Sequence, residues 1–573
     1  MENTNTSHMK YLDILSKSVL VRPGSPAVYK LTPKKEKNGT LTKMSLGEKN
    51  VNKTNKTILL VGETGAGKST LINALVNYTM GVKWEDDVWF QIVEEEEKRQ
   101  SESQTSDVIV YQIFGFEDKP LPYSLTIIDT PGYGDTGGID QDDKISQRLL
   151  DLFRSDGGVH EINAVGLLLK ASDNRLSDRL RYIFDSVVSL FGKNLEKNIV
   201  ALITHSDGMT PENALKALED ANIKCAKNQK TQPVHFLFNN CQDEDRTEDA
   251  DCLKQDYEIT IKGMSQFTEF LEETGPQKLG TTVEVLKERI RLMACIQNLQ
   301  ERVQYIELKH EEIRQTQEAL KKHGEEMKNN KKFTVKVDEV YKGKKTISVV
   351  RWWWVWFYKE AVCCPVCEEN CHYPCTLAWY VEHCEVMKGG RCTSCKRKCA
   401  ASDHVKEKWI YVNKTRKVQK TLEDVKKKYE ENKAERENKS SLLEKLEKEV
   451  EELQKEKDQW LEESFNHVVR LEEIALNVDS LSTQVHLDFL IEKMKDKGDT
   501  EKVQKLEEMK RRVDERSQRA LRWFGQLKTA AVKGVKNMWP FRKEGDTDGT
   551  KLECNHCLSF KCLNPGNSAL CCM

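Results

Sequence analysis

The chain predicts an α/β domain with a mainly parallel sheet, followed by a helical, coiled-coil region that a small Cys-rich module interrupts. Three observations predict this. Residues 58–69 read ILLVGETGAGKS, a strand-like apolar run that opens into a glycine loop and then a helix. From Thr57 to about Pro276, strand-like and helix-like runs alternate, the pattern of a parallel sheet covered by helices on both faces. Beyond Val283 the chain turns helical and charged, except around residues 364–404, where cysteines and histidines crowd together.

At 573 residues the chain exceeds a single core. The expected divisions are a weakly structured, extended leader (1–54), the α/β domain (55–276), a helical region (277–331), a β-hairpin with the Cys/His module (332–409), a second helical region (410–544) and a Cys-containing tail (545–573). Charged residues make up 32% of the chain, yet the net charge is −2, so no bulk basic field points to nucleic acid as a partner. Met1 to Thr54 lacks the apolar core of a secretory signal, and the most apolar run, Ile347 to Tyr358, is short and carries Arg351. Eighteen cysteines in such a chain favour metal binding in a reducing, cytoplasmic setting over a disulfide framework.

In chain order, strands are expected at 57–61, 107–114, 123–129, 162–170, 197–204 and 233–238, with helices at 68–80, 141–154, 177–191 and 211–226. The acidic run Glu94 to Ser106 reads either as a solvated linker or as a switch over a ligand. Two strand-like runs, KKFTVKVDEVY and KTISVVRWWWVWFY, follow the first helical region. Farther on, Leu443, Leu446, Val450, Leu453, Lys457 and Trp460, then Ile474, Val478, Leu481 and Val485, recur at three- and four-residue steps. That spacing suits a dimeric coil or an intramolecular helical bundle, and Lys457 interrupts the seam.

Gly62, Glu63, Thr64, Gly65, Ala66, Gly67, Lys68 and Ser69 form G-x-x-x-x-G-K-S between a strand and a helix, with Thr70 next. Glycines let successive N–H groups converge on one anion, and the helix N-terminus adds its dipole. Lys68 is the expected charge for outer phosphates, and Ser69 the expected hydroxyl ligand of Mg²⁺. Leu125 to Gly132 reads LTIIDTPG, which delivers Asp129 toward the metal and places the Gly132 N–H for a γ-phosphate. Thr105, just before the strand VIVYQI, is the candidate switch threonine for the metal. After IVALI come Thr204, His205, Ser206 and Asp207, in the slot where an Asp accepts hydrogen bonds from guanine N1 and N2. Asn239 and Asn240 follow VHFLF and are candidates to complete a base pocket.

GETGAGKST, DTPG, a Thr-His in the guanine slot and F-N-N after the last strand resemble the immunity-associated nucleotide-binding (AIG-type) GTPases and, more distantly, septins and chloroplast import receptor GTPases. With GVKWEDD after the first helix and the Cys-rich insert, the whole also resembles a group of large G-domain-containing fish proteins. The resemblance covers roughly residues 55–275 and implies a P-loop GTPase fold with GTP/GDP and Mg²⁺ as ligands. It also implies a homodimer through the G domain, in which Arg175 corresponds to an arginine inserted in trans; a surface Arg capping the next helix is the competing reading. Tyr133 stands where Ras-like proteins carry a water-orienting Gln, so hydrolysis is expected to be slow. The expected function is a nucleotide-dependent switch or self-assembling scaffold, with a protein partner for the helical region. The alternative is a scaffold in which nucleotide and zinc mainly stabilise the fold.

Cys364, Cys367, Cys371, His372, Cys375, Cys384, Cys392, Cys395, Cys399 and His404 supply ten candidate ligands, and C-x2-C-x3-C occurs twice, twenty-eight residues apart. Tetrahedral zinc takes four Cys or His ligands, so this set suffices for two structural Zn²⁺ ions. In the tail, Leu570 replaces the Cys that a prenylation box needs. Trp523 to Lys543 mixes Lys with aromatics, as a membrane-surface helix does, but core or partner-helix packing is the favoured reading.

Overall fold

The structure, a computed structural model, describes residues 10–511 except 39–40, 94–107, 118, 131–138, 156, 330–333, 348–350, 353–354, 357–359, 376–379, 422–441 and 479–480. Its main sheet has eight strands: β1 (Lys34–Asn38), β2 (Leu41–Leu46), β3 (Asn55–Gly62), β4 (Ile109–Ile113), β5 (Ser124–Asp129), β6 (Ala164–Lys170), β7 (Ile199–Thr204) and β8 (His235–Leu237). They lie in the order β8-β7-β6-β3-β5-β4-β2-β1. β3 runs parallel to both neighbours, and within this sheet antiparallel pairing occurs at β4–β5 and β1–β2.

β3 sits at the centre because it is apolar on both faces, as a strand covered on both sides must be. Leu59 and Val61 pack on one side with Ile145 and Leu149 of α2 (Ile139–Arg154); Ile58 and Leu60 pack on the other with Leu71, Ile72 and Leu75 of α1 (Lys68–Met80). Full burial of each such side chain stabilises the fold by about 1.5–3 kcal/mol, so truncating one of them leaves a void at the root of the phosphate loop. Further helices are α3 (Asp178–Val188), α4 (Glu212–Asp220) and α5 (Ala250–Glu273).

The first departure from expectation is the leader. β1 and β2 extend the main sheet, and Val19–Arg22 and Ala27–Lys30 join Val88–Gln91 in a three-stranded sheet. GVKWEDD receives the leader: Tyr11 is buried, and its hydroxyl donates to Gly81 O (2.9 Å) and to Asp86 Oδ2 (3.0 Å). Lys10 pairs with the same carboxylate at 2.8 Å. Ser25 Oγ donates to Asp87 Oδ1 at 2.6 Å. These strands are short, at four to six residues, so their pairing depends on partners distant in sequence.

The second departure is the hairpin. Strand β9 (Thr334–Thr346) pairs antiparallel not with the Trp-rich run but with β13 (Trp409–Thr421), so the strand structure continues past residue 409. The Cys/His module is inserted between these two arms, on a small sheet of β10 (Ala361–Cys364), β11 (Glu369–His372) and β12 (Val405–Glu407) in the order β11-β10-β12. Arg351–Trp352 pairs with Val355–Trp356 instead.

Helix α6 (Gly280–Asn329) leaves the sheet domain, and α7 (Leu442–Ile474) returns along it. Glu288 meets His467, Arg302 meets Glu456 and Lys309 meets Glu449, an antiparallel register within one chain. Val285, Leu292, Ile296 and Leu299 share a core with Trp460, Leu461, Phe465, Val468 and Leu471, and with α8 (Leu481–Lys497) and α9 (Thr500–Arg511). Trp460 of the heptad series enters this core, Ile474 and Val478 pack against it, and the side chains of Leu443, Leu446, Leu481 and Val485 lie outside the described residues. No helix among the described residues is long and apolar enough to cross a membrane. The Trp523–Lys543 segment and the tail cysteines also lie outside them.

Glu288 joins α6 to α7. Burial opposes its charge, but the hydrogen bond with His467 Nδ1 (2.7 Å) and the nearby Arg291 outweigh it and hold the carboxyl at about 2. The folded state therefore favours the carboxylate. That stabilisation is complete above the ordinary Glu range and is lost as pH falls through about 2. Glu288→Gln is expected to destabilise the protein by about 1.5–3 kcal/mol near neutrality, the range for a hydrogen bond to a charged group. Urea unfolding at a series of pH values should show this difference shrinking on acidification; a pH-independent difference would refute the assignment.

Candidate functional site

The phosphate-loop residues sit at the C-terminal end of β3 and the start of α1. Gly62 must be glycine, because a Cβ there would lie 2.9 Å from Leu168 Cβ on β6. Gly65 and Gly67 adopt φ of +83° and +85°, a region that favours glycine. Lys68 is buried, and its Nζ donates to Gly62 O at 3.2 Å, folding the side chain back along the loop. Ser69 and Thr70 are half-buried in the first turn of α1. Asp129 ends β5 in register with Leu60 and is fully buried. Next to it, Thr130 Oγ1 donates to Leu60 O at 2.9 Å. Thr105, Gly132 and Tyr133 lie outside the described residues.

Thr204 ends β7, and its hydroxyl donates to Ala66 O at 2.9 Å, so the loop after β7 is fastened to the phosphate loop. His205 Nδ1 lies 3.1 Å from the Thr204 hydroxyl oxygen, and His205 has φ at +53°. Burial, and then the charge of Lys170, lower the His205 pKa. Asp207 is exposed, and its Oδ1 accepts the Met209 N–H at 3.0 Å in an Asx turn. Asn239 is engaged elsewhere: its Nδ2 donates to Asp256 Oδ1 on α5 at 2.6 Å, while its N–H and C=O both meet Thr260 Oγ1. Asn240 is half-buried beside it. Asp256 and Thr260 had no signature in the sequence, because their part depends on α5 packing under the turn after β8. Arg175 is exposed in the loop after β6. The cap of α3 is Ser177, whose Oγ accepts the Leu180 N–H at 3.0 Å.

Thus the C-terminal ends of β3, β5, β6, β7 and β8, which run parallel, lie at one edge of the sheet, with a glycine loop at its centre. A family model for septins matches residues 52–149. Septin-5 of Homo sapiens is 29% identical over 35% of this chain and 52% of its own length. Residues 52–149 are septin-like. Septin-1 of Drosophila melanogaster is 25% identical over 44% of this chain and 71% of its own length. This chain spans about half the length (52%) of the septin-5 relative. Among solved structures, Toc33 from Arabidopsis thaliana in complex with Mg²⁺ and GMPPNP aligns with 39% of this chain and 86% of its own, at 15% identity and a TM-score of 0.27.

Beyond the septin-like domain lies a second constellation. The candidate ligands sort into buried groups whose ligand atoms lie within 4.8 Å of one another: Cys364, Cys367, Cys395 and Cys399; Cys371, Cys392, Cys395 and His404; and His372, Cys375, Cys384 and Glu385. The first two groups share Cys395, and each draws on both C-x2-C-x3-C units. Backbone N–H groups of Ser394 and Cys395 point at Cys392 Sγ, and that of Cys399 at Cys395 Sγ, each at 3.2 Å. Such bonds favour thiolates. His404 Nδ1 lies 2.8 Å from Ala400 O, which leaves Nε2 as the ligand atom; it is buried with no hydrogen-bond partner. Glu385 was not among the ten sequence candidates; its place directly after Cys384 was the one available signal.

Thiolate and imidazole donors in fours suit Zn²⁺, and the module has little apolar core of its own. Cys395→Ser is therefore expected to release metal from both groups that share it and to open residues 360–405 to protease, since ligand loss removes folding energy. Metal analysis with limited proteolysis checks this; unchanged metal content and protease resistance would refute it.

Proposed function

We propose that the chain is a guanine-nucleotide-binding protein with slow intrinsic GTP hydrolysis, acting as a nucleotide-dependent switch or self-assembling scaffold. The observation that carries this reading is the 2.9 Å bond from Thr204 to Ala66, which holds a candidate base-reading loop against a phosphate loop. In this reading the backbone of residues 62–70 and Lys68 Nζ bind the phosphates. Ser69 and Asp129 are hard oxygen ligands that suit Mg²⁺, with Thr105 as the switch ligand; the metal would neutralise charge on the β- and γ-phosphates. Asp207 accepts from guanine N1 and N2, and the His205 ring stacks where other GTPases place a lysine stem. Asn240 lines the pocket, while Asn239 positions its turn.

For hydrolysis, Tyr133 offers no amide to orient water. Arg175, exposed and released from capping duty by Ser177, is the candidate to reach the nucleotide of a second copy. The scaffold reading is favoured by one further observation: Arg154, which ends α2 of the G domain, binds Glu385 of the Cys/His module at 3.1 Å, so the two parts are mechanically joined. Retention of GDP through purification without measurable turnover would select that reading.

Asp207→Asn is expected to weaken GDP binding by about 10- to 100-fold, the cost of a charged hydrogen-bond acceptor, and to shift preference toward xanthine nucleotides. Unchanged guanine selectivity in a displacement assay would sink the base assignment. If Arg175 acts in trans, specific activity should rise with protein concentration, toward the ~10³–10⁵-fold range of arginine fingers. Arg175→Ala should flatten that rise and leave GTP affinity intact. A concentration-independent rate in the wild type would reject activation across a dimer.

A further inference from the structure

Ten candidate ligands argue for two ions, but the structure sorts them, with Glu385 added, into three groups. We infer that the chain holds a third zinc ion, bound by His372, Cys375, Cys384 and Glu385 and separate from the pair of ions that share Cys395. This rests on the reading of the Cys/His module as metal-binding.

The edges of the group already have the right lengths. Cys375 Sγ lies 3.8 Å from Cys384 Sγ, His372 Nδ1 lies 3.2 Å from Cys384 Sγ, and His372 Nδ1 lies 3.5 Å from Glu385 Oε2. A tetrahedral Zn²⁺ with bonds of ~2.3 Å to sulfur and ~2.0 Å to nitrogen or oxygen sets S–S edges near ~3.8 Å and the mixed edges at about 3.3–3.6 Å. None of the four residues belongs to either of the other groups.

The carboxylate of Glu385 divides its oxygens between two tasks. Oε1 takes the Arg154 guanidinium at 3.1 Å. Oε2 is buried without a hydrogen-bond partner and faces His372 Nδ1. A buried carboxylate oxygen without a donor is costly unless a cation serves it. Two thiols and an imidazole make that cation a borderline-soft one; Ca²⁺ or Mg²⁺ would require an oxygen shell. The residue is also held from behind, because Arg291 Nε on α6 donates to Glu385 O at 3.1 Å and Arg154 Nη1 contacts His383 O at 3.3 Å. Support of this kind orients a ligand before the metal arrives.

The full chain, expressed with zinc and purified without chelator, should carry three zinc ions by native mass spectrometry. Its zinc-edge X-ray absorption should average three sulfur and one nitrogen or oxygen ligand per ion, the mean of the three groups. Glu385→Gln should retain two ions and lose the third. If that variant does not fold, the wild-type measurements still decide. Two ions with an average of three and a half sulfur ligands and half a nitrogen or oxygen ligand, as the first two groups alone would give, would overturn the third site and leave the shared-thiolate pair standing. No bound metal at all would remove both readings.

Discussion

Helix α6 carries charge into the interior, and the architecture outside the sheet domain depends on how those charges are met. Glu288, Arg291, Lys309 and Glu312 are all buried, as charged groups seldom are unless paired. Each finds its counter-group on the same helix or on another element: His467 on α7 for Glu288, Glu449 on α7 for Lys309, the Glu385 carbonyl for Arg291, and the Val340 N–H on β9 for Glu312. Arg289 reaches both Ser189 O in the sheet domain and Asn477 O past α7. One helix of fifty residues, about 75 Å long at ~1.5 Å per residue, thereby sets the positions of the β9–β13 ribbon, the Cys/His module and the returning helices.

The module lies against this helix and near the end of α2. Asn298 Nδ2 donates to Ser394 O and Arg302 pairs with Glu369, so both Cys-x2-Cys-x3-Cys units are anchored on α6. Glu301, its carboxyl pushed up by burial and pulled back by Lys342 and Asn370, extends the same contact to the ribbon. The link through Arg154 belongs to the helix that follows the D-T-P-G segment.

Much of the α/β domain was legible in the sequence. The six strands from 57 to 238 and three of the four helices between them are found within three residues of expectation, while the helix expected at 211–226 ends at Asp220; apolar runs of that length are buried where a parallel sheet forms. The leader was not legible: Thr42 and Met44 are its buried points in β2, too few to stand out in a Lys- and Thr-rich stretch. The hairpin was half legible. β9 was recognised, but its partner lies beyond the Cys/His module, and the Trp-rich run nearer in sequence competed for the role.

At the candidate site, the glycine loop, Lys68, Asp129 and the Thr204–Asp207 tetrad were read from the sequence alone, because a phosphate loop and a guanine-reading loop would impose residue types at fixed spacings. Tertiary structure decided which atoms meet. It committed Asn239 to Asp256, gave the α3 cap to Ser177 in place of Arg175, made Cys395 common to two ligand groups and brought Glu385 into a third. Spacing along the chain reports which donors a turn can present together. It carries no record of which turns face one another, since that is settled by how α6 packs the separate turns into one interior.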